Sequence, residues 1–449
     1  MKLFLIVVLI VMLAFSLVAC GNGGEDASPG EIVATQTPQP TPVPSPAPSL
    51  APEPTPYPAE YDSPRREFTT DQFLDDLDYL IWVLENNFPF FYTAYWARGV
   101  DINQLADNAR RTILEADELD EDIFIRDIMW EIFQPLFSVG HFAFINPLEY
   151  HMIRMGILGL SPIRSELMDS PNVQAFYRAR VTDDFPDINE IMERIPDMSI
   201  TIMEDESIAV LTIPSFVGTS EEDLDKISEL YAKLYSFDHF IIDIRNNGGG
   251  WMSFFNDLIM SPLIDSTAVA EMFVFFKDGE YITTLTPRYL LGGIIPARPA
   301  TNDIFGSVSE IIEQNDFAQL VQNDIDRFVY AFPANMRIMP PLGIEKVDFN
   351  GSIWMLVDER VGSAAQAAAW MAKDSGFATL VGEITGGNFG GTRLHFAMPN
   401  TGILFQFDAF YITDRYGRPL EAGTIPHHFN HPGMDAMETV LALIAEGEY

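Results

Sequence analysis

Phe240-Ile241-Ile242-Asp243-Ile244-Arg245-Asn246-Asn247-Gly248-Gly249-Gly250 is an apolar run that gives way to polar residues and then three consecutive glycines. Phe240 to Ile244 has the length and β-branched content of a strand buried on both faces, as in a parallel sheet. The glycines expose consecutive backbone N–H groups just after that strand, an arrangement able to hold an anion or a developing oxyanion. A flexible strand-to-helix turn is the other reading of the same triplet.

The pattern extends to both sides. Ile208 to Ile213 reads as a strand and Ser220 to Leu234 as an amphipathic helix, so a strand-helix-strand unit leads into the glycines. Downstream, Ile353 to Val357 resumes the sheet, and Ser363 opens an alanine-rich helix, Ala364 to Lys373. The last strands are expected at Leu380 to Gly382, Gly402 to Thr413 and around Glu421 to Ile425. Residues 261–346 read as an insertion that could form a lid or groove wall. It holds a hairpin, Met272 to Thr284 around Asp278-Gly279, then a Pro- and Gly-rich loop and a helix near Ser307 to Leu320. The fold class is α/β, with the core at 201–449.

Ser363 lies in Val361-Gly362-Ser363-Ala364-Ala365-Gln366, between strand and helix. Serine is a preferred helix N-cap, which accounts for that placement without any chemistry. A nucleophile displayed at a helix N-terminus, with small neighbours leaving room for a carbonyl, accounts for it equally well.

Residues 66–150 read as an N-terminal helical domain. Thr70 can cap a helix with apolar positions Phe73, Leu74, Leu77, Leu80, Ile81 and Leu84, stopped by Pro89. Periodic segments at Ile102 to Leu114 and Asp120 to Phe137 complete a small bundle. It ends at Ser138-Val139-Gly140-His141-Phe142, where the glycine permits a turn and the histidine precedes the apolar run Phe142 to Ile145. Residues 151–200 form a poorly patterned connecting segment without the glycine-rich carboxylate-binding loop that a PDZ module requires.

The start of the chain is of another kind. Lys2 precedes an apolar run, Leu3 to Ala19, too short for a membrane span but suited to a secretory signal. The run ends in Leu17-Val18-Ala19-Cys20, which resembles the bacterial lipobox; residues 1–19 are then the lipoprotein signal peptide and Cys20 the lipidated residue. Cys20 is the only cysteine, which excludes a disulfide framework and a cysteine-built metal site. Residues 20–65 are a linker; from Pro38 to Pro58 the prolines favour an extended stalk. The expected location is the extracytoplasmic face of the cell membrane. A net charge of −39 and a pI near 4.2 argue against nucleic acid as a partner and against adsorption to anionic lipid.

Four motifs, in order, resemble the tail-specific, C-terminal processing and tricorn-core serine peptidases. They are Phe240 to Gly250, Gly362-Ser363-Ala364-Ala365-Gln366, Leu380-Val381-Gly382-Glu383-Ile384-Thr385-Gly386-Gly387, and Gly417-Arg418-Pro419-Leu420-Glu421-Ala422-Gly423-Thr424-Ile425-Pro426. The resemblance implies a crotonase/ClpP-like α/β core and no cofactor. The family has two catalytic designs. Where the first places a lysine general base this chain has Asn388, and no lysine occurs after Lys373. In the second, a histidine in an upstream Gly-His turn is the base and a late glutamate orients it; Gly140-His141 and Glu421 match those elements. The resemblance therefore implies a catalytic set of Ser363, His141 and Glu421, with oxyanion donors from the amides of Gly249 or Gly250 and of Ala364. Gln366 stands where the family often has glutamate.

The alternatives for single residues are a structural turn histidine at 141 and a solvated loop carboxylate at 421. His427-His428-Phe429-Asn430-His431 could bind a metal, but no carboxylate or cysteine motif accompanies it, so no metal is expected. The expected protein is a membrane-anchored Ser-His-Glu peptidase acting on proteins or peptides. Its rivals are an inactive lipoprotein that binds peptides in the same cleft and an esterase-like hydrolase.

Overall fold

The computed structural model describes residues 66–137, 139–154, 166–180, 195–218, 220–277, 306–315, 317–341, 346–389, 391 and 393–447. The signal, Cys20, the proline-rich linker and the tip of the expected Asp278-Gly279 hairpin lie outside the described residues.

The quoted strand is the middle of a six-stranded sheet. Strands β2 (Ser199–Met203), β3 (Ile208–Thr212), β4 (His239–Asp243), β8 (Ser352–Val357), β9 (Thr379–Gly382) and β13 (His428–Phe429) lie in the order β13-β9-β8-β4-β3-β2. All neighbours are parallel except the edge pair β2 and β3. Both faces are covered, which is why these strands read as continuous apolar runs. Ile208, Val210, Ile241, Trp354, Leu356 and Val381 project to one face and meet Ala436, Val440 and Leu443 of the helix Ala436–Glu446. The alternate residues Ala209, Leu211, Phe240, Ile242, Met355, Val357 and Leu380 join the main core. The alanines of the helix Ser363–Asp374 are buried in that core, their small side chains allowing a close approach.

Two smaller sheets accompany the central one among the described residues. Strands β5 (Ala268–Phe276), β6 (Gly306–Ser307), β7 (Tyr330–Ile338) and β12 (Tyr411–Asp414) form one, ordered β12-β5-β7-β6. Strands β1 (Ala143–Phe144), β10 (Arg393–Ala397) and β11 (Leu404–Asp408) form the other, ordered β1-β11-β10. The described part of 261–346 shares a sheet with core strand β12, which pairs with β5, while β5 pairs with β7 across nine residue pairs. Two expectations are corrected. Gly402 to Thr413 is two strands in different sheets, divided at Ala409-Phe410. Glu421 to Ile425 holds no strand; Leu420–Ala422 is a 3-10 turn held by side chains.

Helix α1 (Thr70–Asn87) is capped by Thr69, one residue before the expected cap, because Gln72 rather than the next residue completes the capping box. Helices α2 (Phe91–Arg98) and α3 (Ile102–Glu115) follow, but 121–136 alternates α, π and 3-10 turns and is no single helix. Asp76 of α1 accepts the amides of Asn400 (2.7 Å) and Thr401 (2.8 Å), tying the helical layer to the β10-β11 turn. Phe88 and Phe90, just after α1, pack beneath the Gly140-His141 turn.

Candidate active site

The glycine loop and Ser363 follow two adjacent parallel strands, β4 and β8, at their carboxyl ends, where open α/β sheets place their ligands. A backbone bond joins the two loops, Gly362 N donating to Asn247 O (3.1 Å), and a second ties the serine turn to the segment after β9, Ser363 N donating to Gly387 O (3.0 Å). Gly249 must be glycine, since a Cβ there would lie 2.8 Å from Ser363 Cβ and 2.9 Å from Ala364 N. Ser363 has φ +53°, a left-handed conformation that a serine adopts only under tertiary constraint. The helix cap is Gly362, and no side-chain cap bond is made. The N-cap explanation of Ser363 is thereby overturned: its hydroxyl is free to face elsewhere.

It faces His141. Ser363 Oγ lies 3.0 Å from His141 Nε2, and His141 Nδ1 lies 2.6 Å from Asp408 Oδ2. The sequence pointed to Glu421 as the carboxylate on this imidazole; the structure puts Asp408 there. The reason is strand register. Strands β1 and β11 are antiparallel, with Ala143 opposite Gln406, and the same register carried two residues further places His141 opposite Asp408. Asp408 is fully buried, and an ionised carboxylate can only accept, so Nδ1 carries the proton and Nε2 is left to accept from the serine hydroxyl.

Glu421 has a different post. Its Oε1 accepts the amide of Gly140 (2.9 Å) and its Oε2 that of Phe389 (3.3 Å). Asn388, at the position of the absent lysine, accepts the His141 amide through Oδ1 (2.8 Å). Glu421 and Asn388 therefore grip the two residues of the Gly-His turn, both of which have positive φ. Gly140 also abuts Phe90, where a Cβ would come within 2.2 Å of the ring. Burial pushes the Glu421 carboxyl up to about 8 and the charge of Asp408 adds to this, against the opposing pull of Arg98 and the two amides. Glu421 thus holds its proton well above the usual carboxylate range.

This has a testable sign. Between about 4.5 and about 8 the folded chain keeps a proton on Glu421 that the unfolded chain releases. The folded state binds more protons there, so this carboxyl makes stability fall as pH rises through the window and level off above it. In Glu421→Gln that component should vanish, so denaturation midpoints of wild type and variant should run parallel above the window and diverge within it. Midpoints running parallel from acid to alkaline pH would show that folding leaves the titration of Glu421 unchanged.

The turn around Glu421 is held by cationic and amide donors. Arg98 donates to the carbonyls of Gly386 and Glu421. Gln366, fully buried, donates to Leu420 O (3.1 Å) and Thr424 Oγ1 (3.0 Å) and accepts from Thr385 Oγ1. A glutamate at 366 could make neither donation, which gives the departure from the family residue a structural use.

The oxyanion donors narrow. Gly249 N is already bonded to Asn247 Oδ1 (2.9 Å), while Asn247 is itself anchored to Ile213 O. The amides of Gly250 and Ala364 have no protein acceptor among the described residues. His427 spends Nδ1 on the amide of Leu380 (2.9 Å), and among the described residues no group of three or more potential metal ligands occurs. Asp408 is the site residue that sequence reading missed; its signal was a lone acid in the apolar run Leu404-Phe405-Gln406-Phe407-Asp408.

A sequence model of peptidase family S41 matches residues 207–429, a span that includes the glycine loop, Ser363, Asp408 and Glu421. Among solved structures, a protein of Parabacteroides merdae ATCC 43184 provisionally assigned as a peptidase is 17% identical, with 84% of this chain and 97% of that one covered and a TM-score of 0.50. Mature CPAF is 14% identical, with 84% and 98% covered and a TM-score of 0.49. A photosystem II D1 C-terminal processing protease is 13% identical, with 84% and 98% covered and a TM-score of 0.36. At such identities the likeness is one of fold. A search of curated proteins finds no match. Residues 207–429 belong to peptidase family S41, and the chain is a serine-type peptidase, with proteins or peptides as its class of substrate.

Proposed function

We propose that this chain hydrolyses peptide bonds with Ser363 as nucleophile, His141 as general base and Asp408 as the carboxylate that fixes the imidazole. We further propose that it works outside the cytoplasm, tethered by lipid on Cys20. The observation that carries the first part is the relay Ser363 Oγ, His141 Nε2 and Nδ1, Asp408 Oδ2, with contacts of 3.0 Å and 2.6 Å. Neutral His141 takes the serine proton as Oγ attacks the carbonyl, and the carboxylate of Asp408 stabilises the resulting imidazolium. The amides of Gly250 and Ala364 receive the oxyanion. His141 then returns the proton to the leaving amine, and a water repeats the sequence to release the acid. Glu421 and Asn388 are positioning residues in this scheme. An assembled relay with its serine in a strained conformation weighs against the inactive binding protein.

Active-site labelling tests it. A fluorophosphonate should modify Ser363, and Ser363→Ala should stay folded and unlabelled. Modification at another serine, or none in a well-folded protein, overturns the reading. The anchor is tested separately: Cys20→Ala should abolish lipid attachment and move the protein from the membrane to the soluble fraction, or leave its signal uncleaved. Normal processing and full membrane partition of that variant would rule the tether out.

A further inference from the structure

The turn that carries Glu421 also walls a cavity of about 330 Å³. Leu420, Gly423, Thr424 and Ile425 contribute to it, and Ser363, His141 and Asp408 do not. Lys373 and Arg418 line it as well. Both are half-buried, and neither has an ion-pair partner among the described residues. Lys373 Nζ donates to Ile425 O (2.6 Å), and Arg418 Nε and Nη2 donate to Gly423 O (3.4 Å) and Ala422 O (3.2 Å).

In a chain with 65 acidic and 26 basic residues, two adjacent cations left to backbone carbonyls call for an explanation. The acids at the cavity form no ion pair with either cation, although the charge of Asp414 acts on both. Asp374 is held by Arg415, and Asp414 Oδ1 accepts the amides of Tyr416 and Arg418 (2.9 Å each). Burial depresses both cations from their usual range, outweighing the opposing charge of Asp414.

We propose that this cavity binds a small anion of the carboxylate or phosphate type, held by Lys373 and Arg418. Such a ligand would supply the charge-assisted bonds that the carbonyls give only weakly. It would also draw the two cations away from residues 422, 423 and 425, next to the glutamate that grips the Gly-His turn. Occupancy should therefore loosen that turn and slow the reaction of Ser363. This coupling rests on Ser363 being the nucleophile; the binding does not.

Calorimetric titration of protein already blocked at Ser363 separates the two. Three probes distinguish the source of the anion: inorganic phosphate, a dipeptide with a free C-terminal carboxylate, and the same dipeptide amidated. We expect saturable binding at one site by phosphate, by the free dipeptide, or by both, and none by the amide. Phosphate alone marks a free-anion site; the free dipeptide alone marks a site for a peptide terminus. Lys373→Met should weaken binding by more than about tenfold. Gln319→Glu, an exposed change at the rim, should weaken it by about threefold through added negative charge, and serves if Lys373→Met fails to fold. In unblocked protein, the probe that binds should slow fluorophosphonate labelling in wild type and have no effect in Lys373→Met. The site is overturned if no probe saturates, if the amide binds as well as the acid, or if Gln319→Glu leaves the affinity unchanged. Saturable binding with unchanged labelling would overturn the coupling and leave the site standing.

Discussion

Asp408→Asn lowers turnover by about 10³- to 10⁴-fold, while Glu421→Gln stays within about tenfold of wild type. The asymmetry follows from where the two carboxyls sit. Asparagine has no charge to stabilise the imidazolium, and its NH₂ facing Nδ1 selects the tautomer in which Nε2 cannot accept from Ser363. Glutamine keeps the shape of the neutral Glu421, and its carbonyl still accepts an amide of the turn. Steady-state kinetics on any cleaved peptide, or the rate of fluorophosphonate labelling, reads the difference. If Glu421→Gln were the more damaging change, Glu421 would carry a charge the reaction needs, and the assignment to Asp408 would fall.

The second large effect tests whether the relay acts as a unit. Ser363→Ala and His141→Ala should each reduce turnover by about 10⁴-fold or more, and the double variant should be little worse than either. Multiplying losses would mean that His141 and Ser363 act in separate steps or that another base serves the serine. His141 also has positive φ, held by its amide bond to Asn388, so thermal unfolding of His141→Ala must be measured alongside.

The sequence made the parallel core legible because strands covered on both faces write themselves as apolar runs, and Phe240 to Ile244 was within one residue of β4. Ser363 and His141 stood out because glycine and small residues frame them. Asp408 did not, because its partner is set by register between strands 261 residues apart, such as Phe144 and Phe405, and no local pattern carries that information. Glu421 could be picked from its motif, but not its role, since burial and the Gly140 amide exist only after folding. The two-strand division at Ala409-Phe410 was hidden for the same reason: an apolar run reads alike whether it stays in one sheet or changes to another. The π-helical turns at Phe124–Trp130 were missed because they keep the apolar spacing of an ordinary helix nearly intact.

His141 lies 222 residues before Ser363 and 267 before Asp408, and the three meet only when β1 has closed on β11. Long-range closures of this kind come late in folding, after the local helices and hairpins have formed. A chain still being synthesised holds an ordinary serine and an ordinary histidine. Hydrolytic power therefore arrives only with that long-range contact, so a molecule that has not made it is harmless to itself and its neighbours, and the onset of labelling in a refolding experiment should time the closure of that sheet.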